Sequence, residues 1–172
     1  MIPSLKEDCS KCAALCCLAL TIDKGEHFAI DKPAGVPCPN LDGHGCRIHR
    51  WLRVEGFSGC TIYSCGGAGQ RVTQELFAGQ SWRDDMALKV PMMEAFRGMR
   101  AIQDRLAILV AAQDNLDLDA SDAARVREMI GWLMPDALDF DLVRFFPESV
   151  EAAEIDLFLP GLRRYVTGRT LG

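Results

Sequence analysis

The chain has 172 residues, the length of one domain or slightly more. Hydrophobic residues make up 49% of it, enough for a real core, and a net charge of −5 argues against non-specific nucleic-acid binding. No run of like charges is long enough to mark a disordered tail.

Cysteine is distributed very unevenly. All eight (Cys9, Cys12, Cys16, Cys17, Cys38, Cys46, Cys60 and Cys65) lie in the first 65 residues. Charge follows the same division: residues 1–70 carry seven basic and seven acidic side chains, residues 71–172 twelve and seventeen. These asymmetries divide the chain into a cysteine-rich module, 1–70, and a second part, 71–172.

The opening MIPSLKEDCSK carries Glu7 and Asp8, which suits a secretory leader poorly. CAALCCLAL (12–20) is apolar but far too short to span a bilayer. The expectation is a cytoplasmic protein with no membrane partner. Thiols stay reduced there, so clustered cysteines point to metal ligation before disulfides.

A short helix is expected around 10–20. KPAGVPCPNLDGHGC (32–46) holds three prolines and three glycines, which rules out long regular elements. IHRWLRVEG (48–56) reads as a second short helix stopped by its glycine. From Val90 onward, Pro91 opens a helix whose Met92, Phe96, Met99, Ile102, Leu106, Leu109 and Val110 recur mostly at spacings of three and four. Ser121 is the expected cap of the next helix, which buries Val126, Met129, Ile130 and Leu133 and stops before Pro135. A short amphipathic piece covers 139–147, Ser149 caps another helix ending before Pro160, and 161–170 forms a last one. The methionines at helical spacing read as core filler. The acidic stretch 114–122 reads as a solvated turn with caps, and Arg163 and Arg164 as a solvated helix face. The fold class is therefore mainly α: a loop-rich, cysteine-rich module followed by a small helical bundle.

The chemistry lies in the thiols. Cys9-x2-Cys12 is a spacing that turns two thiolates onto one metal. Cys12 and Cys16 would share a face if their segment were helical. Neighbouring side chains diverge, so Cys16 and Cys17 do not readily chelate one ion. Eight thiols equal two four-thiolate sets, which favours two centres or one polynuclear cluster over a single ion. Cys38 and Cys46 flank a glycine-rich turn, and Cys46-x2-His49 has metal-knuckle spacing, which makes His49 a candidate nitrogen ligand and His44 a second. After Cys60-x4-Cys65, the small residues Gly66, Gly67 and Gly69 can bring backbone N–H groups close to a bound cluster. GGAG matches no phosphate-loop or dinucleotide fingerprint. No nucleophile–base arrangement is legible, so an enzymatic activity stays undecided.

The order CxxC…CC, then PCPNL…GCRIH, then GCTIYSC resembles the eight-cysteine, zinc- or iron-chelating family named for its CxxCxxCC motif, the YkgJ-like domains. The resemblance covers about residues 9–70 and all eight cysteines. Three residues separate Cys12 from Cys16 where the motif has two, and His49 stands where many members have tyrosine. Some members resemble flagellin lysine methylases that carry a four-iron, four-sulfur cluster, and others sit beside pentapeptide repeats. The resemblance implies metal binding.

The sequence thus leads to an iron–sulfur protein, with a 4Fe–4S cluster first and zinc as the alternative. The cluster would serve electron transfer or modification of a protein or small-molecule substrate held by the helical part. In the zinc alternative the bundle is an interaction surface. Four disulfides in a secreted protein form a third reading.

Overall fold

The computed structural model describes residues 2–166. Its axis is helix α4, Lys89–Asn115, which at 1.5 Å per residue is about 40 Å long. Met92, Ala95, Phe96, Met99, Ile102, Leu106, Leu109 and Ala112 are buried along it, the three- and four-residue spacing of one apolar stripe. Pro91 occupies the first turn, where a missing N–H leaves no gap in the hydrogen-bond ladder.

Helices α5 (Ala120–Trp132), α6 (Phe140–Phe145), α7 (Val150–Phe158) and α8 (Arg163–Val166) follow α4. Of these, α5 and α6 pack directly on α4, and α7 packs on α5. Each of α5, α6 and α7 begins at a side-chain cap. Ser149 accepts from Ala152, as expected, and Asp139, not singled out in the sequence, accepts from the N–H groups of Asp141 and Leu142. The cap of α5 is Asp119, not Ser121: its carboxylate accepts the Asp122 N–H at 2.8 Å and the Tyr165 hydroxyl at 2.8 Å. The bond from the Asp122 N–H is the cap itself and starts the helix two residues before the expected position. Arg163 and Arg164 are both exposed, as a solvated helix face requires, and the Arg164 guanidinium pairs with the largely buried carboxylate of Asp122. Residues 167–170 of the last expected helix lie outside the described residues.

The first 70 residues are mostly turns. Helix α1 is only Leu15–Ala19, preceded by a 3₁₀ turn at Cys9–Lys11. A two-residue hairpin pairs β1 (Leu41–Asp42) with β2 (Gly45–Cys46). The expected helix at 48–56 is a 3₁₀ turn, His49–Trp51, extended by further turns. Helix α2 is Ser58–Ile62, and α3 is Ala68–Arg71. α3 continues without interruption into a π-helical turn, Val72–Leu76, so the expected boundary at 70/71 falls inside a continuous helical stretch.

One core serves both parts. Leu15 and Leu18 of α1, fully buried, join Met92, Phe96, Met99 and Leu106 of α4 and Val126, Met129 and Ile155 beyond it. No helix among the described residues is long and apolar enough to cross a membrane.

At the α4–α6 crossing, Gly98 lies directly under the Val143 carbonyl, with no room for a Cβ. Gly98→Ala must push the helices apart and should cost about 1–3 kcal/mol in denaturant unfolding. Met129→Leu, a near volume-conserving swap at a buried position, should cost less than about 1.5 kcal/mol. The contrast separates a steric crossing from a tolerant core.

Candidate metal centre

The chain that carries Cys9, Cys12, Cys16 and Cys17 is shaped by its backbone partners. The Asp8 carboxylate accepts the Ser10 N–H at 3.1 Å and starts the 3₁₀ turn, and the Cys12 N–H closes it on the Cys9 carbonyl at 3.3 Å. Ala13 is then clamped from both sides. Its N–H donates to Thr73 Oγ1 at 3.0 Å, and its carbonyl accepts from Trp82 Nε1 at 2.7 Å. Ala14 takes left-handed backbone, φ 56°, which a non-glycine residue adopts at a cost of about 1–2 kcal/mol. The turn swings the chain into α1. Cys12 is therefore extended backbone ahead of the helix, and it does not share a helical face with Cys16. Within α1, Leu15 and Leu18 share the buried face. At about 100° per residue this leaves Cys16 and Cys17 on opposite flanks. Their sulfurs stand 4.0 Å apart.

Cys17 and Cys38 are joined through the backbone: the Cys38 N–H donates to the Cys17 carbonyl at 3.0 Å. The Leu41 N–H returns to the Cys38 carbonyl at 3.0 Å, and Leu41 stands opposite Cys46 in the hairpin. The glycine-rich turn thus draws the Cys38 and Cys46 segments together. Cys60, exposed, sits on α2, which Gly59 seats flat against the ring of Phe28. Phe28 meets Phe57 edge-to-face at 6.4 Å. Cys65 precedes the glycine pair, and its carbonyl accepts the Ala68 N–H at 3.0 Å.

The three glycines have steric roles. Gly66 and Gly67 both take positive φ, 56° and 84°, and turn the chain into α3. A Cβ on Gly69 would lie 2.5 Å from Cys12 Sγ, so this glycine lets α3 lie directly on that thiol. Gln103, fully buried on α4, donates to the Gly66 carbonyl at 2.6 Å and accepts from Arg71 Nη1 at 3.1 Å. The histidines stand apart from the sulfurs' backbone network. His44 Nε2 is 2.7 Å from Ser81 Oγ, and His49 is exposed in its 3₁₀ turn.

Two features near the thiols have no sequence motif. Lys32 is 2% exposed. Its Nζ donates to the carbonyls of Val36 at 3.0 Å, Pro33 at 3.2 Å, Leu18 at 3.4 Å and Leu20 at 2.5 Å. Burial pushes its pKa down, while charge on Cys38, Cys17 and Cys16 pushes it up. A buried ammonium whose neighbours are carbonyls and sulfurs favours negative sulfur. Tyr63, between Cys60 and Cys65, buries a hydroxyl without a hydrogen-bond partner. Arg100 lies over its ring, 4.9 Å from the centroid, and donates to the Ser64 carbonyl at 2.8 Å. Burial raises the phenol pKa, opposed by Arg100, with charge on Cys16 and Cys65 adding to the rise. Tyr63 could have been singled out from CTIYSC. Lys32 could not, because chain closure alone makes it buried.

All eight cysteines are free thiols. The hydrogen bond across the Cys16–Cys17 pair makes Cys16 the readier to ionise and Cys17 the more reluctant. Burial, reinforced by neighbouring sulfur charge, pushes Cys12 and Cys60 up to about 11 from an ordinary 9.0. Among the described residues, no three metal-capable side chains are gathered tightly enough to hold an ion as they stand. Closing a ligand set takes side-chain movement. The donor chemistry still fits a thiolate-bound metal: free sulfurs, a buried cation beside them, and Gly69 making room at Cys12.

No protein-family model matches the chain, and no solved structure matches it. Over 103 residues it is 42% identical to the uncharacterized protein YybG of Bacillus subtilis (strain 168). That stretch is 59% of this chain and 37% of YybG, so the chain spans little more than a third of that relative.

Two outcomes are expected of the metal-free protein. Thiolate absorption in an ultraviolet pH titration should show a first thiolate below the ordinary value of 9.0, and Cys17→Ala should abolish that early step. Between pH 9.0 and about 11, unfolded chains lose the Cys12 and Cys60 protons that the folded state keeps. Stability should therefore fall as pH rises through this window, read as a falling urea midpoint. Separately, Lys32→Met strands carbonyls inside the module and should cost on the order of 2–4 kcal/mol in thermal unfolding.

Proposed function

We propose that this chain is an iron–sulfur protein whose cluster, of the 4Fe–4S type first, is held by thiolates among Cys9, Cys12, Cys16, Cys17, Cys38, Cys46, Cys60 and Cys65. The observation that carries this reading is that eight free thiols, on three stretches (9–17, 38–46 and 60–65), lie in a segment of very short helices and one small hairpin. Such a segment lacks the regular structure that would otherwise hold it, and metal ligation supplies the missing order. The crowded Cys16–Cys17 pair suits a sulfur-rich centre, and Lys32 offers the positive charge that a cluster with four thiolates calls for. Bound there, the cluster would supply one-electron transfer.

A cytoplasmic setting, where thiols persist reduced, fits eight free cysteines. Structural zinc is the second reading, favoured by the same poverty of regular structure, because zinc sites staple small loop-rich modules. Gly66, Gly67 and Gly69 belong to the support of the centre in either reading, through the turn into α3 and the space left for Cys12.

Anaerobic purification decides between the metals. A brown protein with broad visible absorption and about four iron and four sulfide per cluster is the expected result. A colourless protein with stoichiometric zinc replaces it with the second reading, and a protein that binds neither ends both. Cys12→Ser should lower metal content and melting temperature together; a variant that kept both unchanged would remove Cys12 from the ligand set.

A further inference from the structure

Away from the thiols, the helical part holds a cavity of about 270 Å³ where α4, α5 and α6 meet. We propose that this cavity is the anchor pocket of an interaction surface, and that its occupant is a basic segment of a partner protein carrying one bulky apolar side chain. The inference needs no metal and stands apart from the reading of the thiols.

The pocket is apolar in its floor and its mouth. Ile102 of α4, Leu133 at the end of α5, Val143 of α6 and Phe146 just beyond it line the cavity and are buried. Leu142 also lines it yet is 66% exposed, and Val150, between the lining residues Ser149 and Glu151, is 70% exposed. Large apolar side chains left in water around an apolar pocket mark a contact site. The volume lies just below the roughly 300–1,000 Å³ of small-molecule sites. It suits a single large side chain inserted from a partner, which is how interface anchors are held.

Charge states what kind of segment carries that anchor. Residues 135–156 contain seven carboxylates and one basic side chain, Arg144. Four of the carboxylates have arginine partners: Asp141 with Arg144, Glu148 with Arg97, Glu154 with Arg125 and Asp156 with Arg105. The other three, Asp136, Asp139 and Glu151, have no basic partner among the described residues. All three border the cavity: Asp139 and Glu151 line it, and Asp136 follows Pro135, which lines it too. The arginines over two of the lining rings, Arg125 on Trp132 and Arg105 on Phe146, are already matched by Glu154 and Asp156. Asp139 caps α6, which uses its hydrogen bonds and leaves its charge in place. The result is an apolar pocket inside an uncompensated negative rim, complementary to an apolar anchor flanked by lysine or arginine. A second copy of this chain would bring the same rim against itself, and an anionic lipid surface would be repelled in the same way.

The test titrates the full chain with a fluorescein-labelled lysine-rich peptide bearing one central tryptophan, read by fluorescence anisotropy at low salt. The expected result is saturable binding of one peptide per chain that weakens as salt rises. Serine in place of the tryptophan should weaken it by about tenfold or more, and glutamates in place of the lysines should abolish it. Leu142→Asn and Glu151→Lys change exposed side chains and should each weaken binding by about tenfold, with circular dichroism unchanged. Leu157→Asn, 82% exposed on α7 and outside the cavity, should leave it as it is. The peptide series needs no variant and decides alone if a substitution disturbs folding. Absence of binding, or binding indifferent to the tryptophan or to Leu142, overturns the proposal. Sedimentation showing a dimer that Leu142→Asn dissolves gives the pocket to a second copy and overturns it equally. None of these outcomes touches the metal reading, which rests on metal content alone.

Discussion

A chain buried without helices or long strands must find other partners for its carbonyls and amides. That constraint governs the first 70 residues. An ordinary helix satisfies its own backbone, but residues 9–65 have few hydrogen bonds of that kind to offer. Side chains take over. Thr73 and Trp82 hold the two ends of the Ala13 peptide units, Gln103 reaches from α4 to the Gly66 carbonyl, and Lys32 gathers four carbonyls around one ammonium. Each of these is buried. The polar groups that fix the loops are thus supplied largely by the helical part, and the thiols are positioned as a consequence.

This explains why one core runs through the whole molecule. Leu15 and Leu18 are too few to make a core for the N-terminal segment, and they borrow the surface of α4. The cysteine-rich segment is then neither a free-standing knuckle nor a flexible tail. It is a sulfur-bearing skin laid on a helical scaffold, fastened by buried polar groups at a few points.

How much of this the sequence disclosed follows from the range of each interaction. The apolar stripe of α4 was legible because it depends on residues three and four apart, and so was the cap Ser149 with its adjacent amide. Asp119 was missed in favour of Ser121, since both are good caps three residues or fewer from the first amides; a further bond from Tyr165, far along the chain, adds to the local one at Asp119. The helical face shared by Cys12 and Cys16 failed for a similar reason. Contacts from Thr73 and Trp82 hold Ala13, and Ala14 turns left-handed, which no local propensity foretells. Among the thiols, spacing marked candidate ligands but not which sulfurs are neighbours. That depends on a hairpin and on the seating of α3 against Cys12. Lys32 left no trace in sequence, since a lysine between aspartate and proline reads as solvent-exposed until the chain has closed over it.

The seating of α1 on α4 also orders the protein's birth. A ribosome delivers Cys9 to Cys17 long before Lys89 to Asn115, yet Leu15 and Leu18 find their floor only on that later helix. During the interval, the nascent N-terminal half presents its sulfurs on a tether with nothing beneath it. Joining such distant stretches carries a closure entropy that grows only slowly with length, but its return is deferred until α4 has formed. The thiol-bearing half therefore emerges first and becomes structured late, a period in which its sulfurs are open to the surroundings of an unfinished chain.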